Sequence, residues 1–123
     1  MDNRRNHLLD ILILINKLQK NSIRENDDNS CTRPILGPDI SINYNTRPVV
    51  FYLCNNQELS VEYTNGEVLT SSTFRVEDIN NDCVTVRLLA VNGEDITATN
   101  EFATINIGCI AAIRCLNDIN LAL

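Results

Sequence analysis

The stretch from residue 73 to residue 100, TFRVEDINNDCVTVRLLAVNGEDITATN, decides the fold class of this chain. Apolar and polar residues alternate along much of it, and NND at 80–82 and NGED at 92–95 interrupt the alternation. A period of two is typical of β-strands with one buried face. Asparagine and glycine tolerate the positive φ angles of tight hairpin turns. The stretch therefore predicts three consecutive antiparallel strands joined by two turns.

The same pattern extends outward from this stretch toward the amino terminus. SINYNTRPVVFYL is followed by the turn signal CNNQ and by ELSVEY, and NG at 65–66 leads into EVLTSSTFRVEDI. Short strands divided by turns, without alternating helices, are typical of antiparallel sandwiches and barrels. We predict a mainly β fold over residues 39–123, an antiparallel β-sandwich or a barrel-like domain.

The closing stretch EFATINIGCIAAIRCL, residues 101–116, continues the alternation. It is long for one strand, and we expect a single strand with a bend or bulge near Gly108. Cys109 and Cys115 would then share a face about 20 Å apart, too far for a disulfide between them. They are either small apolar residues that fill the core or partners of cysteines elsewhere.

A different period governs residues 7–20, HLLDILILINKLQK. Apolar residues recur at helical spacing and predict an amphipathic helix, an amino-terminal arm of residues 1–21. Residues 22–38, polar and then rich in proline and glycine, predict a linker. Leu9, Ile13 and Leu14 fall outside the apolar stripe. Either solvent tolerates them, or a neighbouring subunit covers them, which makes them candidate subunit contacts.

Composition narrows the possible partners. The chain has 123 residues, five cysteines and a formal net charge of −6, which fits one domain and disfavours a nucleic-acid partner. Asp10 interrupts the only early apolar run, which is too short to span a bilayer and is followed by no cleavage site. We therefore expect no membrane association and synthesis in the cytosol without a signal peptide.

No pattern in the sequence indicates catalysis. His7 is the only histidine, and we find no phosphate-binding glycine loop, no HExxH and no EF-hand spacing. We predict no enzyme, and no catalytic, cofactor-binding or metal-binding residues. Cys31 in the predicted linker and Cys54 at a predicted hairpin tip lie where side chains meet solvent. Both are candidates for bonds to another molecule in an oxidising environment.

Several segments, taken in order, resemble the CotY/CotZ/ExsY family of spore coat and exosporium proteins. They are LLDILILINKLQKN, CTRPILG, NTRPVVFYL, STFRVEDINNDCVTVRLL and INIGCIAAIRCL. The resemblance implies a structural protein without enzymatic activity, made in the mother cell and assembled at the spore surface, in the coat crust or the exosporium basal layer. Family cysteines are matched by Cys31, Cys83, Cys109 and Cys115, whereas Cys54 is particular to this chain. Ala111 stands where the family's closing motif tends to carry a cysteine.

The resemblance and the residues together predict a self-assembling subunit that forms a lattice or fibre through non-covalent contacts, with supplementary disulfides. Its partners would be itself and other spore coat or exosporium proteins. Cys83 would be the partner of Cys109 or Cys115 within the chain. The alternative is an adaptor that anchors another coat component or an appendage. A carbohydrate-binding β-sandwich is a third hypothesis, which the absence of tryptophan and the presence of only three tyrosines disfavour.

Overall fold

The computed structural model describes residues 3–21 and 44–123. One helix and seven strands form the described part, with a short 3-10 helix, η1, before the last strand. Their bounds are α1 Asn3–Asn21, β1 Val49–Leu53, β2 Val61–Asn65, β3 Glu67–Ser71, β4 Thr73–Asn80, β5 Cys83–Asn92, β6 Asp95–Asn106, η1 Ile107–Cys109 and β7 Ile110–Cys115. The predicted fold class, mainly β and antiparallel with an amino-terminal helix, is confirmed.

Tight turns join the strands where asparagine and glycine predicted them. Asn81, between β4 and β5, has a φ of 57°, and Gly93, between β5 and β6, has a φ of 67°. Gly66 joins β2 to β3 with a φ of 78°. These left-handed conformations cost glycine and asparagine less than other residues, so the sequence fixes where each hairpin reverses.

Five strands form one sheet in the order β6-β5-β4-β1-β7, and β2 and β3 form a separate hairpin. The segment EVLTSSTFRVEDI is therefore two strands that pair with different partners. At the junction, the Ser71 hydroxyl lies 2.9 Å from the Thr73 carbonyl oxygen and 2.6 Å from the Leu89 carbonyl oxygen. This contact ties the β2–β3 hairpin to the sheet at β5.

The expected interruption near Gly108 is confirmed, but the expectation of a single closing strand is wrong. β6 and β7 are separated by η1 and lie at opposite edges of the sheet. In a flat sheet these edges would be about 19 Å apart, at roughly 4.8 Å per strand step. The three residues of η1 allow at most about 15 Å between the flanking Cα atoms, at 3.8 Å per residue. The sheet must therefore curve until its edges approach each other.

The pairing between β1 and β4 shows how this curvature is achieved. The two strands share only the registered pair Val49–Phe74, so β1 and β7 diverge from β4, β5 and β6. The described strands include no pairing between β6 and β7, and they do not form a closed barrel. Two layers joined at a corner remain, which fits the predicted sandwich.

The core lies between these layers and beneath α1. The rings of Phe51 and Phe74 stack with 5.7 Å between centroids. From α1, the side chains of Leu8, Leu12 and Ile15 join the same cluster. The helix contacts β4, β7 and η1, so its predicted apolar stripe covers the opening between the layers. The predicted linker, residues 22–38, lies outside the described residues, and the domain boundaries stay a prediction.

Candidate functional site

The cysteines occupy different environments. Cys54 and Cys109 are exposed, Cys83 is half-buried, and all three are free thiols. Cys115 is half-buried, packs against the core and is disulfide-bonded. Cys31 lies outside the described residues. The prediction that Cys109 and Cys115 do not bond each other is confirmed, because Cys109 is free.

Two predictions about these cysteines are wrong. Cys83 forms no bridge to Cys109 or Cys115, because Cys83 is itself a free thiol. Two strands, β4 and β1, lie between the strands of Cys83 and Cys115. Cys109 does not fill the core either, because η1 turns its side chain to solvent.

Cys54 and Cys109 lie next to each other. Cys54 directly follows β1, and its backbone N–H donates to the Cys109 carbonyl oxygen at 3.1 Å. The Cys54 Sγ lies 3.7 Å from the carbonyl oxygen of Gly108, the residue before Cys109. Sequence reasoning missed this neighbourhood, because it placed Cys109 inside a strand and not at the start of a β1–β7 pairing.

The candidate subunit contacts on α1 differ in their exposure. Leu9 is half-buried and packs against the core, so the chain itself covers part of it. Leu14 is half-buried, and Ile13 keeps 47% of its surface exposed. The apolar stripe on the opposite side of the helix is buried, with Leu12 and Ile15 at 0% exposure. Ile13 is thus the most exposed apolar side chain of the described helix.

A network of hydrogen bonds and ion pairs links the FRVE segment of β4 to β5 and to the residues before β1. Arg75 donates from Nη1 to the Glu77 carboxylate at 2.6 Å, from Nε to the Thr46 hydroxyl at 2.9 Å, and from Nη2 to the Asn45 carbonyl at 3.1 Å. Arg87 donates from Nε to the same Glu77 oxygen at 3.2 Å. Arg75 and Arg87 lie directly opposite each other on β4 and β5. The Glu77 carboxylate compensates this unfavourable like-charge pair.

A second set of contacts fixes the carboxyl-terminal end of α1. The Gln19 amide donates to the Val76 carbonyl at 2.7 Å and accepts the backbone N–H of Arg47 at 3.0 Å. The Arg47 guanidinium binds both Asp118 carboxylate oxygens, at 2.9 and 3.1 Å. Bidentate pairs of this kind are among the stronger hydrogen bonds in proteins. The helix, the residues just before β1, β4 and the segment after β7 are therefore held together at one place.

Sequence reasoning assigned no role to these arginines. The segments NTRP and FRVE were conspicuous, but the network depends on contacts between residues far apart in the chain. No buried side-chain nitrogen or oxygen of the described residues lacks a hydrogen-bond partner. The buried polar atoms of this network are therefore all hydrogen-bonded within the fold.

A shallow cleft of about 340 Å³ lies between the β2–β3 hairpin and β6. Its lining is mostly hydroxyl, amide and small apolar groups, and the Glu101 carboxylate accepts the backbone N–H of Thr64 at 3.2 Å.

Within residues 3–21 and 44–123, no three histidine, cysteine or acidic side chains are grouped to hold a metal ion. The helix in that part of the chain is too short or too polar to cross a membrane.

A family model described as Spore coat protein Z matches residues 1–97. The chain belongs to the spore coat protein Z family. The resemblance noted from the sequence is thereby confirmed. Both arginine-containing segments, NTRP and FRVE, fall inside the matched range of the spore coat protein Z family, as do Cys31 and Cys83.

The match to the spore coat protein Z family ends before the last strands are complete. Residues 98–123, with Cys109, Cys115 and the segment INIGCIAAIRCL, lie beyond it. No curated protein and no solved structure matches the chain. The family therefore supplies the biological setting, and the geometry of β7 and η1 comes from this structure alone.

Proposed function

We propose that this protein is a self-assembling subunit of the outermost spore layers, which forms a lattice or fibre through non-covalent contacts. Its family supports a structural role in the spore coat, at the spore surface and in contact with other coat proteins. Disulfides would supplement the contacts once the protein leaves the reducing cytosol.

The observation that carries the proposal is the outer face of α1. The helix is already anchored by a sealed stripe and by Gln19, so it presents Ile13 and Leu14 from a fixed position. A large apolar side chain that is 47% exposed on a rigid helix gains free energy when a second surface covers it. A single exposed apolar residue is ordinary in a soluble protein. Here it belongs to a member of a spore coat family, whose components contact one another, and this supports a role in assembly.

The test is electron microscopy of the purified full chain together with two variants. Ile13→Glu places a charge on the proposed contact, whereas His7→Glu adds the same charge at another exposed position of α1. We expect ordered arrays or fibres from the wild type and from His7→Glu, and discrete particles from Ile13→Glu. Circular dichroism verifies that all three proteins are folded. Arrays from Ile13→Glu equal to those of the wild type would exclude this face as the contact.

The same samples test the order of covalent and non-covalent steps. Arrays prepared and kept in a thiol reductant should persist, because the proposed contacts need no disulfide. Arrays that dissolve on mild reduction would show that covalent bonds come first and would contradict the proposal.

An adaptor that anchors another coat component or an appendage is the second candidate function. Only Cys54 and Cys109 are exposed among the cysteines that the structure describes, which limits covalent cross-linking to few sites. An adaptor would remain as discrete wild-type particles and become ordered only after a coat protein is added. Wild-type arrays without a partner would favour the subunit over the adaptor.

A further inference from the structure

The free thiols of Cys54 and Cys109 meet the geometric requirements of a disulfide within one chain. Leu53 pairs with Ile110, and the hydrogen bond from Cys54 N–H to the Cys109 carbonyl extends this β1–β7 pairing by one step. Residues opposed through such a bond have Cα atoms about 5.5 Å apart, within the range of roughly 4.4 to 6.8 Å for disulfides.

The side chains are also accessible and close. Both cysteines are exposed, so neither thiol must be uncovered before it reacts. The Cys54 Sγ already lies over the peptide group that precedes Cys109, 3.7 Å from the Gly108 carbonyl oxygen. The backbone hydrogen bond between the two residues already holds the end of β1 beside Cys109.

We propose that Cys54 and Cys109 form a reversible redox pair, which closes into an intramolecular disulfide between the end of β1 and η1. This disulfide requires only the geometry of the single chain and forms whether or not the chain assembles into arrays. It also changes the role expected for Cys54, whose nearest described thiol partner belongs to its own chain and not to a neighbour.

The oxidant is a low-molecular-weight disulfide, and the step is thiol–disulfide exchange. One cysteine thiolate attacks the small disulfide, forms a mixed disulfide and releases one small thiol. The second cysteine thiolate attacks the protein sulfur of the mixed disulfide and expels the second small thiol. The protein loses two electrons and two protons, and the small disulfide gains them as two thiols.

The pair should outcompete links between chains in dilute solution. Two groups held on neighbouring segments experience an effective concentration of about a millimolar or more, above the micromolar concentration of a dilute protein. Oxidation then withdraws both exposed thiols from cross-linking and leaves the half-buried Cys83 as the remaining free thiol of the described residues.

Peptide mapping tests the proposal directly. The reduced full chain is treated at micromolar concentration with oxidised glutathione, alkylated, and digested with trypsin and an Asp-N protease. Cleavage at Asp39, Arg75 and Arg87 separates Cys31, Cys54, Cys83 and Cys109 into different peptides, and Arg114 separates Cys115. We expect a Cys54–Cys109 peptide pair that is two hydrogens lighter than the two free peptides, and that disappears after dithiothreitol.

Variants provide the control. Cys83→Ser should give the same cross-linked pair, whereas Cys54→Ser should leave Cys109 of the monomer either alkylated or in a mixed disulfide with glutathione, without a link to another peptide of the chain. If Cys54 maps to a cysteine of another chain or to any partner other than Cys109, the proposal is overturned. The proposal is also overturned if both thiols are still free to be alkylated after treatment with oxidised glutathione.

Discussion

Glu77 is the residue at which the β4–β5 hairpin departs from regular pairing. Val76 pairs with Val86 and Asp78 pairs with Thr85, so Glu77 is an extra residue on β4, a β-bulge. Bulges redirect a side chain, and here the carboxylate is directed between Arg75 and Arg87. Turn signals in the sequence predict where the hairpin reverses, but not this shift, because the bulge is set by tertiary contacts.

Removing one guanidinium from this network should reduce stability markedly. Arg75→Met deletes the donors to Thr46, Glu77 and Asn45, and breaking such a largely buried ion pair costs about 3 kcal/mol. The control, Arg114→Met, alters an exposed arginine on β7 and should change the free energy of unfolding by less than about 0.5 kcal/mol. Urea unfolding followed by circular dichroism measures both. Equal stabilities of the two variants would show that the network contributes little.

Among the elements, α1 is the one whose role the sequence described only in part. The spacing of Leu8, Ile11, Leu12, Ile15 and Leu18 predicted a buried stripe; four of these side chains are at most 5% exposed, and Ile11 is half-buried. The sequence alone could not show that this stripe completes the core of the sheet. Nor could it show the break between β6 and β7, because apolar alternation continues through η1 while Asn106 and Gly108 bend the backbone through a local hydrogen bond.

Deletion of residues 1–21 should therefore abolish a cooperative fold. Four buried leucine or isoleucine side chains contribute about 1.5 to 3 kcal/mol each, roughly 6 to 12 kcal/mol in total. The whole stability of a domain is about 5 to 15 kcal/mol. Thermal unfolding by calorimetry should show a sharp transition for the full chain and none for the truncated chain. A truncated chain with a similar transition would show that α1 is only an attachment to an independent β domain.

At the scale of the whole molecule, the sequence predicted more of the fold than of the candidate surfaces. Period-two alternation and turns with asparagine or glycine are local signals, so most strands and the turns at Asn56, Gly66, Asn81 and Gly93 could be located from them. The order of the strands, the curvature of the sheet and the proximity of Cys54 to Cys109 depend on pairing between distant segments. Such pairing leaves no signature in any single stretch of the chain.

Net charge should govern how readily the proposed assembly forms. Each chain carries a formal charge of −6, so identical subunits repel each other at low ionic strength. The screening length falls from about 30 Å at roughly 0.01 M salt to about 8 Å at roughly 0.15 M. We expect the concentration needed for assembly, measured by light scattering, to decrease over this range of sodium chloride. An increase would indicate that attractive ion pairs between chains dominate the contact.

The position of β7 has a consequence for the synthesis of the protein. β1 leaves the ribosome early, but its partner strand is made after every other described strand, and the contacts of α1 with η1 and β7 must also wait. The core cluster, which includes Ile107 of η1 and Ile110 of β7, consequently stays incomplete while the chain grows, and folding through such distant pairing is slow. A ribosome that stops before Ile110 releases a chain without the means to close its core. A prematurely terminated product therefore exposes apolar core surface, and exposed apolar surface makes such a chain prone to aggregation.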